Sequence, residues 1–109
     1  MRDAIREPTF LILTVLGEGP SHGYRIMVGA AELSEGRVRL SAGTVYGALD
    51  RLRADGLVEP AGEQVEEGRK RKLYRLTAEG AGALAAEAHR RKRQAEAALT
   101  RLADLGFSR

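Results

Sequence analysis

The sequence contains no cysteine and no tryptophan, and it has only two histidines among 109 residues. The absence of cysteine excludes disulfides, thiolate catalysis and zinc or iron–sulfur sites with cysteine ligands. His22 and His89 lie far apart in the sequence, so they do not form the spaced pair that is typical of a metal site. No carboxylate pair lies in an apolar setting and no nucleophile–base arrangement is visible. We therefore expect neither an enzyme nor a bound cofactor or metal.

Long apolar runs are also missing. The longest, from Phe10 to Leu16, is too short to span a bilayer, and the mixed charges of residues 1–7 lack the layout of a signal peptide. We expect a cytoplasmic protein that does not enter a membrane. Lysine and arginine outnumber aspartate and glutamate by 18 to 15, which gives a net charge of +3. This excess is too small to indicate a partner by itself, so the positions of the charges matter more.

Cap and stop signals divide the first half of the chain into three short helices. Pro8 suits the first turn of a helix that is apolar on nearly every side. Ser21 is a favourable N-cap for a second helix, from His22 to about Leu33. Ser41 is a favourable N-cap for a third, which Gly56 ends because glycine adopts the left-handed conformation after a helix.

Two apolar segments that follow the third helix, Leu57–Pro60 and Leu73–Leu76, are predicted to pair as antiparallel strands. The long loop between them contains Gly62 and Gly68 and has the length of a wing. We predict a mostly α-helical fold with a small two-stranded β wing. In this fold a winged helix-turn-helix spans residues 1–77, and a C-terminal dimerisation helix spans residues 78–109 of the same compact unit.

Thr77 is a favourable N-cap for a last helix that runs without proline from Ala78 to about Leu105. Its apolar residues repeat with a heptad period, which is typical of helices that pair. Arg91 interrupts the series, and it can pair with Glu87 or with an acidic residue of a partner chain. The pattern predicts a homodimer interface formed by Ala81, Leu84, Ala88, Ala95, Ala98, Leu102 and Leu105.

The start of the third helix suits contact with nucleic acid. Small residues at a helix N-terminus allow a phosphate to approach closely, and the helix dipole favours the anion. Hydroxyl groups can donate to phosphate oxygens or to base edges. The alternative is that Ser41 is only a cap and that Tyr46 is a core aromatic whose hydroxyl reaches water. The candidate DNA-binding residues here are Ser41, Gly43, Thr44 and Tyr46.

A dense basic run lies in the wing, at Arg69, Lys70, Arg71 and Lys72. Strand alternation would place two of these side chains on each face, and each phosphate that a cation neutralises releases counterions. The alternative is a solubilising hairpin whose lysines protect an edge strand. Arg37 and Arg39, which precede the third helix, are second-rank candidates for phosphate contact.

Three segments resemble motifs of the PadR family of transcriptional regulators. Gly19–Ile26 (GPSHGYRI) resembles the family's G-P-x-H-G-Y-x-I motif, and Leu40–Tyr46 (LSAGTVY) resembles its L-S-x-G-T-L-Y motif. Arg71–Gly80 (RKLYRLTAEG) resembles the R-K-x-Y-x-L-T-x-x-G segment between the wing and the last helix. The three segments occur in the family's order and place the resemblance on roughly residues 8–85.

The resemblance implies a winged helix-turn-helix repressor that dimerises through its C-terminal helix. It places the recognition helix at Ser41–Asp55 and the wing at about Pro60–Leu73. The single C-terminal helix is similar to that of the family's short members, some of which bind flat aromatic compounds between their subunits. A small hydrophobic or phenolic effector is therefore an implied partner.

The sequence thus predicts a homodimeric, sequence-specific DNA-binding transcriptional regulator, a repressor, that binds a pseudo-palindromic double-stranded operator. The alternative is a winged-helix module for protein–protein interaction, without specific DNA binding. In that case the basic wing only contributes solubility.

Overall fold

The computed structural model describes residues 5–107, which form four helices and one two-stranded antiparallel sheet. The predicted winged helix-turn-helix with a long C-terminal helix is confirmed. The elements in chain order are α1 (Glu7–Leu16), α2 (Gly23–Leu33), α3 (Ala42–Ala54), β1 (Val58–Glu66), β2 (Arg69–Leu76) and α4 (Ala78–Asp104).

One hydrophobic core lies between the first three helices and the base of the sheet. The central helix is α1, which buries residues on most of its circumference, as its apolar sequence predicts. Helix α3 contributes the stripe Val45, Leu49 and Leu52, and Tyr74 closes the core from β2. The core residues are Ile12, Leu13, Val15, Leu16, Ile26, Val45, Ala48, Leu49, Leu52, Leu57, Val58 and Tyr74.

The predicted caps of α3 and α4 are confirmed, and the second one also joins two elements. The Thr77 hydroxyl oxygen accepts the N–H of Gly80 at 2.9 Å and donates its own proton to the carbonyl of Gly56 at 2.6 Å. Gly56 has a φ of +79°, the left-handed conformation expected after α3. Thr77 therefore fixes the start of α4 against the end of α3.

The predicted cap of α2 is wrong by one residue. His22, not Ser21, is the N-cap, because its Nδ1 accepts the N–H of Arg25 at 3.2 Å. Ser21 instead forms a β-bridge with Tyr74, in which the two residues exchange backbone hydrogen bonds of 3.0 and 2.9 Å. Histidine is not among the residues that usually cap helices, so the sequence rule selects the serine before it.

The wing is a longer hairpin than predicted. The expected strand partners are confirmed, with Val58 opposite Leu76 and Pro60 opposite Tyr74. Pairing then continues beyond an irregularity between Pro60 and Glu63 and extends to the tip of the hairpin. The turn is only Glu67-Gly68, whose φ values of +50° and +77° match the type of tight turn that suits strand twist.

Helix α4 passes directly over the carbonyl group of Leu57, and Gly80 makes this approach possible. A Cβ atom at Gly80 would overlap the Leu57 carbonyl oxygen, which is backbone and has no rotamer by which to move away. Gly82, one half-turn further along α4, has no neighbouring atom within 4 Å of the same position. The two glycines therefore form a matched pair for mutation.

We expect Gly80→Ala to lower the free energy of unfolding by about 1–3 kcal/mol or more, because overpacking against backbone forces the helix to shift. Gly82→Ala should raise it by up to about 1 kcal/mol, since alanine is the better helix former. Urea denaturation followed by circular dichroism measures both. Equal effects of the two substitutions would contradict this packing of α4 on Leu57.

An ionic cluster holds α4 against the N-terminal part of the chain. The Glu87 side chain is only 5% exposed, and it accepts hydrogen bonds from Arg90 at 2.6 Å and Arg91 at 2.7 Å. Arg91 also donates to the carbonyl of Ile5 at 2.9 Å, and its guanidinium lies 4.5 Å from the centre of the Phe10 ring. The predicted pairing of Arg91 with Glu87 is confirmed, so the break in the heptad series has a role within the chain.

The cluster predicts a pH dependence of stability. The hydrogen bond from Arg90, with that from Arg91, lowers the pKa of Glu87 below its ordinary value of 4.5, despite the opposing effect of burial. A lowered carboxyl pKa stabilises the fold above the unfolded-state pKa, and this stability is lost as the pH falls through the folded-state value. We expect Glu87→Gln to lower Tm at pH 7, and the difference from the wild type to shrink towards pH 3. A difference that is independent of pH would contradict the ionic role.

Candidate nucleic-acid interface

The first turn of α3 is open to solvent and is organised by its own hydroxyl groups. Ser41, Gly43 and Thr44 are exposed, and a Cβ atom at Gly43 would have no neighbour within 4 Å. The Ser41 hydroxyl oxygen accepts the N–H of Thr44 at 3.1 Å and lies 2.9 Å from the Thr44 hydroxyl oxygen. Ser41 is thus both a cap and an exposed polar group, at a helix end whose dipole favours an anion.

Tyr46 lies between α3 and α2 rather than in the core. Its side chain remains 45% exposed, and a Cβ atom at Gly23 would be 2.7 Å from both the ring carbon Cζ and the hydroxyl oxygen. The ring therefore lies directly on the backbone at the start of α2. Tyr46 thus packs against the start of α2 and remains partly accessible to a ligand.

The basic run forms the first half of β2, next to the hairpin turn. Cross-strand partners share a face, so Arg69 and Arg71 lie on one face of the wing while Lys70 and Lys72 lie on the other. Arg69, Lys70 and Lys72 are exposed, whereas Arg71 is half-buried against the ring of Tyr24, 5.4 Å from its centre. The sequence predicts two of these side chains on each face of a strand, and the structure also separates Arg71, which is half-buried, from the three exposed cations.

Acidic side chains on β1 face part of the basic run. Glu66 is opposite Arg69 and Glu63 is opposite Lys72, while Val65 is opposite Lys70. These glutamates reduce the net positive charge of the wing, and the cations of β2 are divided between its two faces. The electrostatic potential that a ligand meets therefore depends on which face of the wing it approaches.

Two further residues at this surface are not among the sequence candidates. Tyr24 is 56% exposed beneath Arg71, and the Nε2 atom of His22 lies 3.5 Å from a carboxylate oxygen of Glu66. Both contacts join residues that are far apart in the sequence, so no local pattern predicts them. The only sequence signal for them is the resemblance of GPSHGYRI to a family motif.

The second-rank candidates Arg37 and Arg39 lie in the connection between α2 and α3, and both are exposed. Leu40, which follows them, packs against the core and so fixes the end of this connection. The two arginines are thus free to face solvent immediately before the capped start of α3.

Most of the predicted dimer residues form an exposed face on α4. Leu84 is the exception, because it is half-buried and packs against the chain's own core. Two apolar side chains outside the heptad list, Leu99 in α4 and Phe107 just beyond it, are also exposed, by 37% and 64%. The exposed members of the predicted set are Ala81, Ala88, Ala95, Ala98, Leu102 and Leu105.

Within residues 5–107, no cluster of three or more histidine, cysteine or acidic side chains has the arrangement of a metal site. None of the helices in that range combines the length and apolar character that a transmembrane span requires. The implied small hydrophobic or phenolic effector stays a prediction.

The chain matches a family model described as the transcriptional regulator PadR-like family over residues 12–86. It is 47% identical over 53 residues to a transcriptional regulator of Mycobacterium tuberculosis, a match that covers 49% of each chain. It is 40% identical over 79 residues to an uncharacterized 37.1 kDa transposon protein of Streptomyces fradiae, covering 72% of this chain and 21% of that one. The chain thus spans about half or less of the length of these curated relatives.

Solved structures show the same architecture. A PadR family transcription regulator from Clostridium difficile aligns with a TM-score of 0.68 at 26% identity, covering 89% of this chain and 98% of that chain. Bacillus subtilis PadR in complex with operator DNA aligns with a TM-score of 0.64 at 23% identity, covering 74% of this chain and 46% of that chain. At this identity, the likeness to Bacillus subtilis PadR shows only that the two chains share a fold.

Proposed function

Because the chain belongs to the PadR-like family of transcriptional regulators, we propose that it is a homodimeric, cytoplasmic repressor that binds a pseudo-palindromic operator. One observation carries the proposal. The consecutive residues Gly23 and Tyr24 contact Tyr46 of α3 and Arg71 of the wing, respectively. The exposed start of α3 and the cationic hairpin therefore lie next to each other, on either side of the start of α2. A surface that reads bases in a groove and binds the adjacent phosphates requires this proximity.

In this proposal the first turn of α3 enters the major groove. The Thr44 hydroxyl and the edge of Tyr46 contact phosphate or base edges, and the backbone at Gly43 approaches closest because no side chain intervenes. Ser41 positions this turn through its bond to the Thr44 N–H. Arg37 and Arg39 contact the flanking backbone just before the helix.

The wing supplies the sequence-independent part of binding. Arg69, Lys70 and Lys72 are exposed on β2, and their charges neutralise phosphates beside the groove that α3 occupies. Arg71 belongs to the same surface but is partly engaged by Tyr24. The bases are thus read by α3, while the wing contributes affinity that depends on salt.

The residues of α4 form the dimer. Leu84 packs on the chain's own core, but the other apolar heptad residues of α4, from Ala81 to Leu105, are exposed, and burying them against a second copy relates two α3 helices by a two-fold axis. Two recognition helices that enter successive major grooves on one face of the DNA lie about 34–36 Å apart. The complex of Bacillus subtilis PadR, a protein of the same fold, with operator DNA supports DNA as the partner.

Selection of duplexes from a random DNA library tests the proposal. We expect enrichment of a two-fold symmetric sequence that the protein binds far more tightly than scrambled DNA at physiological salt. The competing function is a winged-helix module for protein–protein interaction. Failure to enrich any sequence, with equal affinity for selected and scrambled duplexes, would favour that module and contradict the operator reader.

A further inference from the structure

We infer that His22 and Tyr24, at the start of α2, hold the wing in place for DNA binding through Glu66 and Arg71. We call these four residues the wing brace. The inference rests on the proposed function and adds positioning residues to it. It also changes the role of Arg71, which acts through the brace more than as an independent phosphate ligand.

The contact between Tyr24 and Arg71 joins α2 to β2. The guanidinium carbon lies 5.4 Å from the centre of the Tyr24 ring, within the range of a cation–π interaction. The Nε atom of Arg71 is buried and has no hydrogen-bond partner among the described residues. An unpaired buried donor is costly. Since Nε forms no hydrogen bond there, the contact with the Tyr24 ring is the interaction that holds this guanidinium in place. Arginine suits this role because its planar group stacks on aromatic rings, which a lysine ammonium does not.

The contact between His22 and Glu66 joins the same turn of α2 to β1. The Nδ1 atom of His22 accepts the Arg25 N–H, so the proton of the neutral imidazole is on Nε2. That nitrogen lies 3.5 Å from the Glu66 carboxylate. His22 is 7% exposed and therefore has little freedom to rotate, which makes it a fixed point for the tip of the hairpin.

The two contacts fall on one face of the wing. Glu66 pairs with Arg69 and Gln64 pairs with Arg71 across the strands, so Glu66 and Arg71 project from the same face, which is turned towards α2. An isolated two-stranded hairpin is only marginally stable, so an unbraced wing would sample many orientations. A braced wing loses less conformational freedom when its cations bind phosphates, and it retains a fixed position relative to α3.

The salt dependence of DNA binding tests the brace through a residue that carries no charge. Each lost phosphate contact reduces the slope of log K against log salt concentration by about 0.9. We expect Tyr24→Leu to reduce the slope on a selected operator duplex by roughly 0.9–1.8, equivalent to one or two contacts. We expect Tyr24→Phe, which keeps the ring, to retain the wild-type slope.

Two further variants complete the design. Leu33→Ala is the matched control, because Leu33 is 47% exposed at the opposite end of α2, and its slope should equal that of the wild type. Arg71→Lys keeps the charge but not the stacking, so it should flatten the slope as Tyr24→Leu does, and the double variant should show no further change. Arg71→Lys thus also serves if Tyr24→Leu does not fold, as judged by circular dichroism.

An unchanged slope in Tyr24→Leu or Arg71→Lys, with specific binding intact, would overturn the brace alone. A flattened slope in Tyr24→Phe would also overturn it, because the hydroxyl would then contact DNA directly. A wild-type protein that does not distinguish the selected duplex from scrambled DNA would overturn the proposed function and the brace together.

Discussion

Replacing Leu102 and Leu105 of α4 with glutamate is expected to convert the protein into monomers and to weaken operator binding by about 100- to 10,000-fold. The two leucines are 46% and 74% exposed in the isolated chain, and the proposed dimer would bury them. Charged side chains in a desolvated helix interface are strongly unfavourable. Loss of the dimer turns a bivalent interaction into two independent ones, so the effective concentration of the second half-site is lost. Sedimentation equilibrium and titration of the operator measure the two effects.

The matched control for this variant is Thr100→Glu with Ala103→Glu. These residues are also exposed on α4, and they lie outside the heptad positions that contain Leu102 and Leu105. The control adds the same negative charge to the same end of the helix, so it should remain dimeric and lose little affinity. If the Leu102 and Leu105 variant stayed dimeric, or if both variants dissociated equally, the interface on α4 would be wrong.

The second large effect concerns the wing. Replacing Arg69 and Lys70 with alanine should weaken binding to all DNA sequences alike and reduce the slope of log K against log salt concentration by about 1.8. Both side chains are exposed on β2 and neither belongs to the wing brace, so their removal leaves the core intact. Because phosphate contacts carry no sequence information, the ratio of specific to non-specific affinity should change little. Titrations at several salt concentrations with operator and scrambled duplexes measure both quantities.

Arg93→Ala with Arg101→Ala provides the control for charge. This pair removes the same two positive charges from exposed positions on α4, far along the chain from the wing. If the wing contacts phosphates directly, the control should leave the slope unchanged. An equal loss of slope in both variants would mean that only the net charge of the protein matters, and the wing would have no specific role.

The elements that local chemistry specifies agree with the sequence predictions. The caps Ser41 and Thr77 and the stop at Gly56 act within a few residues of their own positions, so their roles follow from residue type and spacing. The strand pairing of Val58 with Leu76 follows from alternation and from the need of both segments to bury one face. Arg91 and Glu87 pair within one turn of a helix, which also makes their contact a local property.

The parts that the sequence predicted incorrectly depend on tertiary contacts. Ser21 is a good cap by type, but its backbone pairs with Tyr74 on β2, and this bridge moves the start of α2 by one residue. The hairpin closes at Glu67-Gly68 because β1 and β2 remain paired through their charged halves, where the composition indicates a loop. Neither outcome is visible without the neighbouring strand.

The candidate site shows the same division. Ser41, Thr44 and the exposed cations of the wing follow from capping and from charge clustering, and the structure leaves them accessible. The burial of Arg71 could not be predicted, because it depends on Tyr24, which is distant in sequence. The packing of Leu84 could not be predicted either, because it depends on the core near Gly17. The residues that bind DNA and those that form the dimer stay predictions.

In the proposed complex, one dimer reads two half-sites with two α3 helices on the same face of the duplex. Inserting five base pairs between the half-sites of the selected operator tests it most directly, because this rotates one half-site by about half a turn of the helix. We predict that the insertion reduces affinity to that of a single half-site. Binding of the five-base-pair variant with the affinity of the unmodified operator would contradict a fixed two-fold reader.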